Sequence, residues 1–258
     1  MTDLQYAGYV LLAALHVILL GVLLVSGNWR LHPNFTAYIA LNLFQGGMLL
    51  LIYSRYGPLT ETAQRFAWTT EAGILCARAL AINEICRRFL GHYRGIWALA
   101  WRLLAFLCLL LAFFSIASAK WKWERIVTNA DFGLELTIVL ALVALFAFAR
   151  YYGLTPDGNL RLLAVGFLFL SCVNALNDTV LANFDTRYGS FWVLFGEISF
   201  SATLLLWIWT MRQPLASDNR PAVHSSVTYR SLSPEINLRL QALNENLRSF
   251  FDRKARET

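Results

Sequence analysis

Three ionisable side chains, Glu71, Arg78 and Glu84, lie inside one predicted membrane-spanning segment. A charged side chain at the centre of a bilayer costs about 2.5–3.5 kcal/mol on insertion scales, whereas each Leu or Ile recovers only about 0.3–0.6 kcal/mol. Residues of this kind occur in membranes where they pair with one another or handle ions, protons or ligands. The segment is therefore predicted to be surrounded by helices that supply partners or water.

Further polar residues recur at helical spacing in three later apolar segments. One segment carries them at i, i+3, i+6 and i+7, which places them on one face of a helix. This stripe consists of Ser171, Asn174, Asn177 and Asp178. In two other segments the polar residues are four apart, as Asp131 with Glu135 and Glu197 with Ser201.

If these faces converge, they form an outward-facing polar pocket in which carboxylates outnumber the one buried arginine. Some carboxylates must then be protonated, solvated or paired with a bound cation. The predicted ligand-binding residues are Glu71, Arg78, Glu135, Asn174, Asn177, Asp178 and Glu197. The alternative is that they form hydrogen bonds between helices, with charges at the membrane interface. Asp131, for example, could begin its helix at the surface, where an acid suits the helix N-terminus.

A second charged group lies at the other end of the same segment. Glu84 precedes Arg87 and Arg88 by three and four residues, which permits an ion pair within the helix, and Arg102 in the next segment is a further partner. One hypothesis is an ionic latch whose opening transmits a signal inward. The alternative is a basic cluster flanking a membrane span, with Arg102 extending toward the cytoplasm.

Motifs for catalysis, metals and cofactors are absent from the chain. HExxH, GxSxG and Walker A sequences do not occur. His16 is the one histidine within a predicted span, whereas bis-histidine haem and the zinc centres of seven-helix hydrolases need more. The lysines, at positions 120, 122 and 254, lie outside the spans and cannot form a retinal Schiff base. The four cysteines include no CxxC pair. We therefore predict no catalytic residue, no metal and no cofactor.

The elements that would carry these residues are membrane helices. Of 258 residues, 57% are hydrophobic and 15% are charged, against about 25% charged in a typical soluble domain. A helix needs about 20 apolar residues to cross a bilayer. Seven runs qualify, at about 4–26, 34–54, 66–90, 95–117, 131–151, 159–181 and 190–212. The short loops favour antiparallel neighbours, so the predicted fold is an all-α polytopic bundle of seven transmembrane helices over residues 1–212.

The tail that follows the last span differs in composition. Residues 213–233 are polar and read as a linker, and 234–255 follow as a predicted amphipathic cytoplasmic helix. Ser233, Pro234 and Glu235 match an N-cap, a first-turn proline and a first-turn acid. This helix is expected to lie on anionic lipid of the inner leaflet or to bind a cytoplasmic protein partner.

The net charge of +6 comes from basic residues that mostly flank the spans or lie in the tail, which argues against a nucleic-acid groove. The Lys and Arg counts of the loops are nearly balanced, and the tail decides the orientation. We predict an outer N-terminus and a cytoplasmic C-terminus in a bacterial inner membrane.

Several stretches match a known pattern. They are 68–72 (WTTEA) and 83–87 (NEICR) in the third span, 207–209 (WIW) at the end of the seventh, and 232–234 (LSP) at the start of the tail helix. In these the chain resembles a family of uncharacterised seven-helix integral membrane proteins from soil bacteria, including Acidobacteria. The resemblance implies a bacterial inner-membrane protein and implies no activity.

Three functions follow from these patterns. The first is a non-enzymatic sensor or receptor-like protein that binds a small ligand or proton at the outer polar cluster and signals to the tail. The second is a small proton- or cation-linked transporter that uses the same carboxylates. The third is a membrane scaffold that binds a partner through the tail helix. A membrane-embedded enzyme ranks last, because the chain has no recognised nucleophile–base pair or metal set.

Overall fold

The computed structural model describes residues 3–57, 60–90, 94–119, 122–151, 157–183, 189–212 and 238, and regular secondary structure in these ranges is helical throughout. The helices are α1 (Asp3–Val25), α2 (Asn28–Leu31), α3 (Pro33–Tyr56), α4 (Glu61–Leu90), α5 (Arg94–Ser118), α6 (Trp123–Tyr151), α7 (Gly158–Asn183) and α8 (Gly189–Met211). The predicted all-α class is confirmed over this part of the chain. The single turn α2 was not predicted.

The chain divides into two compact units, Met1–Leu215 and Ala216–Thr258. The helices α1 to α8 belong to the first unit. The predicted linker, 213–233, lies outside the described residues, as does the predicted amphipathic helix, 234–255, apart from Leu238. The structure therefore describes the helical unit, and the linker and the amphipathic helix remain predictions.

Six of the helices are long and apolar enough to cross a membrane, and the chain is a membrane protein. They are α1, α3, α5, α6, α7 and α8. Large apolar side chains cover their outer faces, as Leu109 and Phe113 of α5 show with exposed fractions of 71% and 76%. Apolar side chains on an outer face are expected where helices contact lipid.

The helix α4 is the exception among the long helices. Its 30 residues extend about 45 Å, which is long enough to cross a bilayer. Its charged residues keep it out of the group of six apolar spans, so the predicted seventh crossing is not confirmed. The helix is nevertheless extensively buried, and it packs against α3, α5, α6 and α7. It begins at Glu61, five residues before the predicted span 66–90, because its first turn is polar and hydropathy does not detect it.

Six of the long helices form a ring, the short α2 joins α1 to α3, and one long helix lies outside the ring. Contacts run from α3 to α4, α6, α7, α8 and α1, and then back to α3. The helix α5 lies outside the ring and contacts α4 and α6. Chain order correctly predicts most of the neighbouring pairs, whereas the α4–α6 and α1–α8 contacts depend on tertiary packing. Arg78 of α4, the carboxylates of α6 and the Asn174 amide of α7 can meet only because α6 packs directly on α4.

An aromatic layer fills the ring between α3, α7 and α8. It consists of Phe35, Tyr38, Phe167 and Trp207, all of which are at most 1% exposed. The centroids of the Phe167 and Trp207 aromatic side chains are 4.7 Å apart. The Trp207 Nε1–H donates to the Leu163 carbonyl oxygen at 3.3 Å. Gly166 permits this approach, because a Cβ at that position would collide with the indole of Trp207.

Candidate functional site: a buried ionic centre

Arg78 is the hub of a polar cluster inside the ring, which we call the polar centre: Tyr38, Arg78, Asp131, Glu135 and Asn174. The Arg78 Nη1 donates to Glu135 Oε1 and, at 3.3 Å, to Asp131 Oδ1. Asn174 Nδ2 donates to the same Glu135 oxygen at 2.8 Å. The guanidinium carbon of Arg78 lies 5.9 Å from the ring centroid of Tyr38. Four helices therefore contribute to one ionic group.

The positions of these residues follow from helical periodicity. Arg78 lies on the buried face of α4, four residues after Ile74 and three before Ala81. Asp131 and Glu135 are one turn apart on α6, so both reach the same guanidinium. The sequence suggested that Asp131 could begin its helix, but α6 begins at Trp123, eight residues earlier. The polar turns before Asp131 continue the helix beyond the apolar run.

Burial differs sharply within the polar centre. The Glu135 side chain is 1% exposed, the Arg78 side chain 9% and the Asp131 side chain 30%. Among the described residues, Glu135 Oε2 and Arg78 Nε have no hydrogen-bond partner, although both are buried. An unsatisfied buried polar atom costs about 1–3 kcal/mol, more when the group is charged. One acceptor and one donor are thus left over at the buried ion pair, next to a second carboxylate.

Glu71 lies apart from this group. Gln45 Nε2 donates to Glu71 Oε2 at 3.0 Å and to the Thr70 hydroxyl at 3.1 Å, which joins α3 to α4. Glu71 is nevertheless close enough to interact electrostatically with Arg78. Sequence reasoning missed Gln45, although a lone glutamine in an apolar span is itself a signal of a buried polar contact.

Asn177 and Glu197 lie at helix contacts of α7, α8 and α1. A Cβ at Gly196 would lie 3.5 Å from Asn177 Nδ2, and a Cβ at Gly8 would lie 3.0 Å from Glu197 Oε2. Asn177 Oδ1 is buried and has no partner in the described part of the chain. Asp178 is within α7, but its side chain lies outside the described residues. Of the predicted ligand-binding residues, direct hydrogen bonds join Arg78, Glu135 and Asn174.

At the other end of α4, Glu84 binds backbone amides. Its Oε2 accepts from the N–H groups of Asn34 at 3.0 Å and Phe35 at 3.2 Å, in the first turn of α3. Arg88 Nη2 donates to the carbonyl oxygen of Leu31, the last residue of α2. An acid at a helix N-terminus and a base at a helix C-terminus both suit the helix dipole. The end of α4 is thereby bonded to the junction of α2 and α3.

The expected pairing of Glu84 with a neighbouring arginine is replaced by these bonds. No ion pair within 4.0 Å joins Glu84 to Arg87, Arg88 or Arg102, all of which the structure describes. The free amides at the start of α3 are fixed in direction, and their hydrogen bonds to the Glu84 carboxylate are charge-assisted. Arg87 and Arg102 are exposed.

His32 completes this junction between α2 and α3. Its side chain is buried, with 1% exposed, and its Nδ1 has no partner in the described ranges. Burial, together with the positive charge of Arg88, lowers the pKa of His32 to about 3. His32 is therefore neutral at physiological pH. Sequence reasoning placed it in a loop and assigned it no role.

Within the described ranges, no three His, Cys, Asp or Glu side chains are grouped as metal ligands would be. Comparison of the chain with protein-family models, with curated proteins and with solved structures finds no match in any of the three.

Proposed function

We propose that this protein is a non-enzymatic, sensor or receptor-like membrane protein that binds a small ligand or a proton at the polar centre. The observation that carries the proposal is the ion pair of Arg78 and Glu135, buried among α4, α6 and α7 with one donor and one acceptor unused. Ionisable groups within a membrane bundle are costly and are typically functional. A small polar ligand, or a proton with its water, would satisfy the two unused atoms.

The aromatic layer favours a sensor over a transporter. Tyr38 contacts Arg78 on one side and packs against Phe167 and Trp207 on the other. A transport path needs a polar lining from one side of the membrane to the other, whereas this layer is apolar and closely packed. We therefore propose that the polar centre is reached from one side, the side of the α4 N-terminus, and that α4 is a seventh membrane crossing.

The helix α4 provides a means of transmission. It carries Arg78 in the polar centre and, about two and three turns later, Glu84 and Arg88 on the α2–α3 junction. A ligand that alters the partners of Arg78 would shift α4 and strain the bonds of Glu84. We propose that this end faces the cytoplasm of a bacterial inner membrane, with an outer N-terminus and with the tail helix on anionic lipid or a protein partner.

The test is the thermal stability of the purified protein across pH and across a panel of cations and small metabolites. A ligand at one hundred times its Kd stabilises a protein by about 2.7 kcal/mol. We expect a shift for wild type and for the control Glu61→Gln, whose carboxylate forms an exposed ion pair with Arg65. The shift should be lost in Glu135→Gln.

Asn174→Ala, which leaves the ion pair in place, serves as a second variant in case Glu135→Gln does not fold. A wild type that no condition stabilises would contradict the proposal and favour the scaffold function of the tail. A shift that survives both variants would place the ligand elsewhere.

A further inference from the structure

We infer that the single turn α2 is a coupling element, which transmits movement of the end of α4 to the end of α8, with Asn28 as its positioning residue. The source of the movement rests on the proposed function, whereas the coupling itself depends on contacts within the bundle. In the order of the ring, α4 and α8 stand opposite each other, with α6 and α7 between them on one side and α3 and α1 on the other. The turn α2 bonds to the ends of both helices.

The last residue of α2 is bonded to α4. Arg88, in the last turn of α4, donates from Nη2 to the carbonyl oxygen of Leu31. The preceding residue of α4, Arg87, is exposed. Any shift of the end of α4 therefore displaces Leu31 or breaks the bond of Arg88.

The first residue of α2 is bonded to α8. Asn28 is fully buried, and its Nδ2 donates to the carbonyl oxygen of Met211 at 3.0 Å. The same nitrogen lies 3.8 Å from the Met211 sulfur. Met211 is the last residue of α8, and the carbonyl groups at the end of a helix lack partners within it. The Asn28 amide thus caps α8 two residues before the predicted linker, 213–233.

The turn itself is closed, and a break in helical structure bounds it on each side. The His32 N–H donates to the Asn28 carbonyl oxygen at 2.8 Å, which joins the two ends of the turn. Gly27 precedes the turn with φ 75°, in the left-handed region that a residue without a Cβ adopts easily, and His32 follows with φ −120° and ψ 65°. Residues at the ends of elements commonly act as hinges. A displacement of Leu31 is therefore passed to Asn28.

Hydrogen exchange by mass spectrometry over residues 207–211, with the protein in lipid nanodiscs and without ligand, tests the coupling. Asn28→Leu removes the donor at a similar side-chain volume, so the end of α8 should fray and exchange about fivefold faster, as expected for one hydrogen bond. Arg88→Met retains an apolar stem without the donor, and it should accelerate exchange of the same amides by about twofold or more. Arg87→Met makes the matched change at the exposed neighbour and should exchange as wild type.

The double variant separates coupling from two independent structural losses. If the effect of Arg88 passes through α2, Arg88→Met should add nothing once Asn28→Leu is present, whereas independent effects would multiply. Independent effects, or unchanged exchange at the end of α8 in Arg88→Met, would overturn the inference. Arg88→Gln repeats the test if Arg88→Met does not fold. Because no ligand is used, a protein that nothing stabilises at the polar centre can still show the coupling, so the two proposals fail separately.

Discussion

At the residue scale, each charge on α4 has a different kind of partner. Glu71 accepts from the Gln45 amide, Arg78 donates to carboxylates of α6, and Glu84 accepts from the amides of α3. The three residues lie on one helix, but the groups that compensate them come from two other helices. This explains how the middle of α4 can be buried, because each of these three charges is matched within the bundle.

The ion pair of Arg78 and Glu135 leads to the first prediction. Replacing Arg78 by Leu leaves Glu135 buried without its charge partner, and removing one partner of a buried pair costs about 3–5 kcal/mol. The double variant Arg78→Leu, Glu135→Leu should recover much of that loss, since the fully buried carboxylate is then gone and Asp131, which also loses the guanidinium, is 30% exposed. The measurement is the free energy of unfolding by denaturant titration in mixed micelles. Losses that simply add would mean that the two side chains are not coupled.

His32 leads to the second prediction, on pH. Its pKa is about 3 in the folded protein and about 6.5 when exposed. Between these values the unfolded state binds the extra proton, so the free energy of unfolding decreases as the pH falls from about 6.5 toward 3. The slope is about 1.4 kcal/mol per pH unit from this group.

Unfolding midpoints of wild type and His32→Gln, measured from pH 7 to pH 4, isolate this contribution from that of the carboxylates. Wild type should lose more stability than the variant over that range. His224→Gln, in the predicted linker, is the control and should follow wild type. Parallel curves for wild type and His32→Gln would contradict the prediction.

At the scale of elements, the start of α3 is held by another helix. Pro33 occupies its first turn, and no side chain of the flanking residue His32 caps it. Glu84 of α4 supplies the missing acceptor, and Arg88 of α4 binds the last carbonyl of α2. The side chains of α4 thus stabilise the turn between α2 and α3. This is the junction through which the proposed signal would leave the bundle.

The third prediction concerns this capping contact. In Glu84→Ala the amides of Asn34 and Phe35 lose their acceptor, so their hydrogen exchange should accelerate by about tenfold or more. Loss of a cap typically costs about 0.5–2 kcal/mol of stability. Exchange followed by mass spectrometry over the first turn of α3 measures the effect. Glu61→Gln should leave that turn unchanged, and equal exchange in wild type and Glu84→Ala would show that the contact does not protect it.

At the scale of the whole molecule, six of the described helices are apolar enough to span a membrane, and α4 packs against four neighbours. A buried helix of this length that lies beside spanning helices is expected to cross with them. If it does, the chain has seven crossings, and the two ends of the helical unit lie on opposite sides of the bilayer.

The fourth prediction tests that topology. With the four native cysteines replaced, Glu61→Cys and Arg87→Cys place one thiol near each end of α4, both at exposed positions. A membrane-impermeant maleimide should label position 61 from outside in intact cells and position 87 only in inverted vesicles. Labelling of both positions from the same side would mean that α4 does not cross the membrane.

Much of the fold is predictable because the membrane restricts the alternatives. A bilayer forces backbone groups to bond within a segment, so apolar length alone predicts helices and most of their bounds. The bounds that differ, at the starts of α4 and α6, lie in polar turns that hydropathy does not detect. The choice of Arg78, Glu135 and Asn174 as site residues rests on the same physics, since polar residues in apolar spans are conspicuous.

The sequence by itself determined that this is a helical membrane protein with costly polar residues inside its spans. Only the tertiary structure decided which of these residues meet. Periodicity places Glu135 on a face of α6. The contact of α6 with α4 depends on packing, because α5 lies between these two helices in the chain and outside the ring in the structure. Likewise, local spacing does not show whether the partner of Glu84 is an arginine four residues away or two backbone amides of α3. Local spacing specifies a face of a helix, whereas the partner depends on which helix lies against that face.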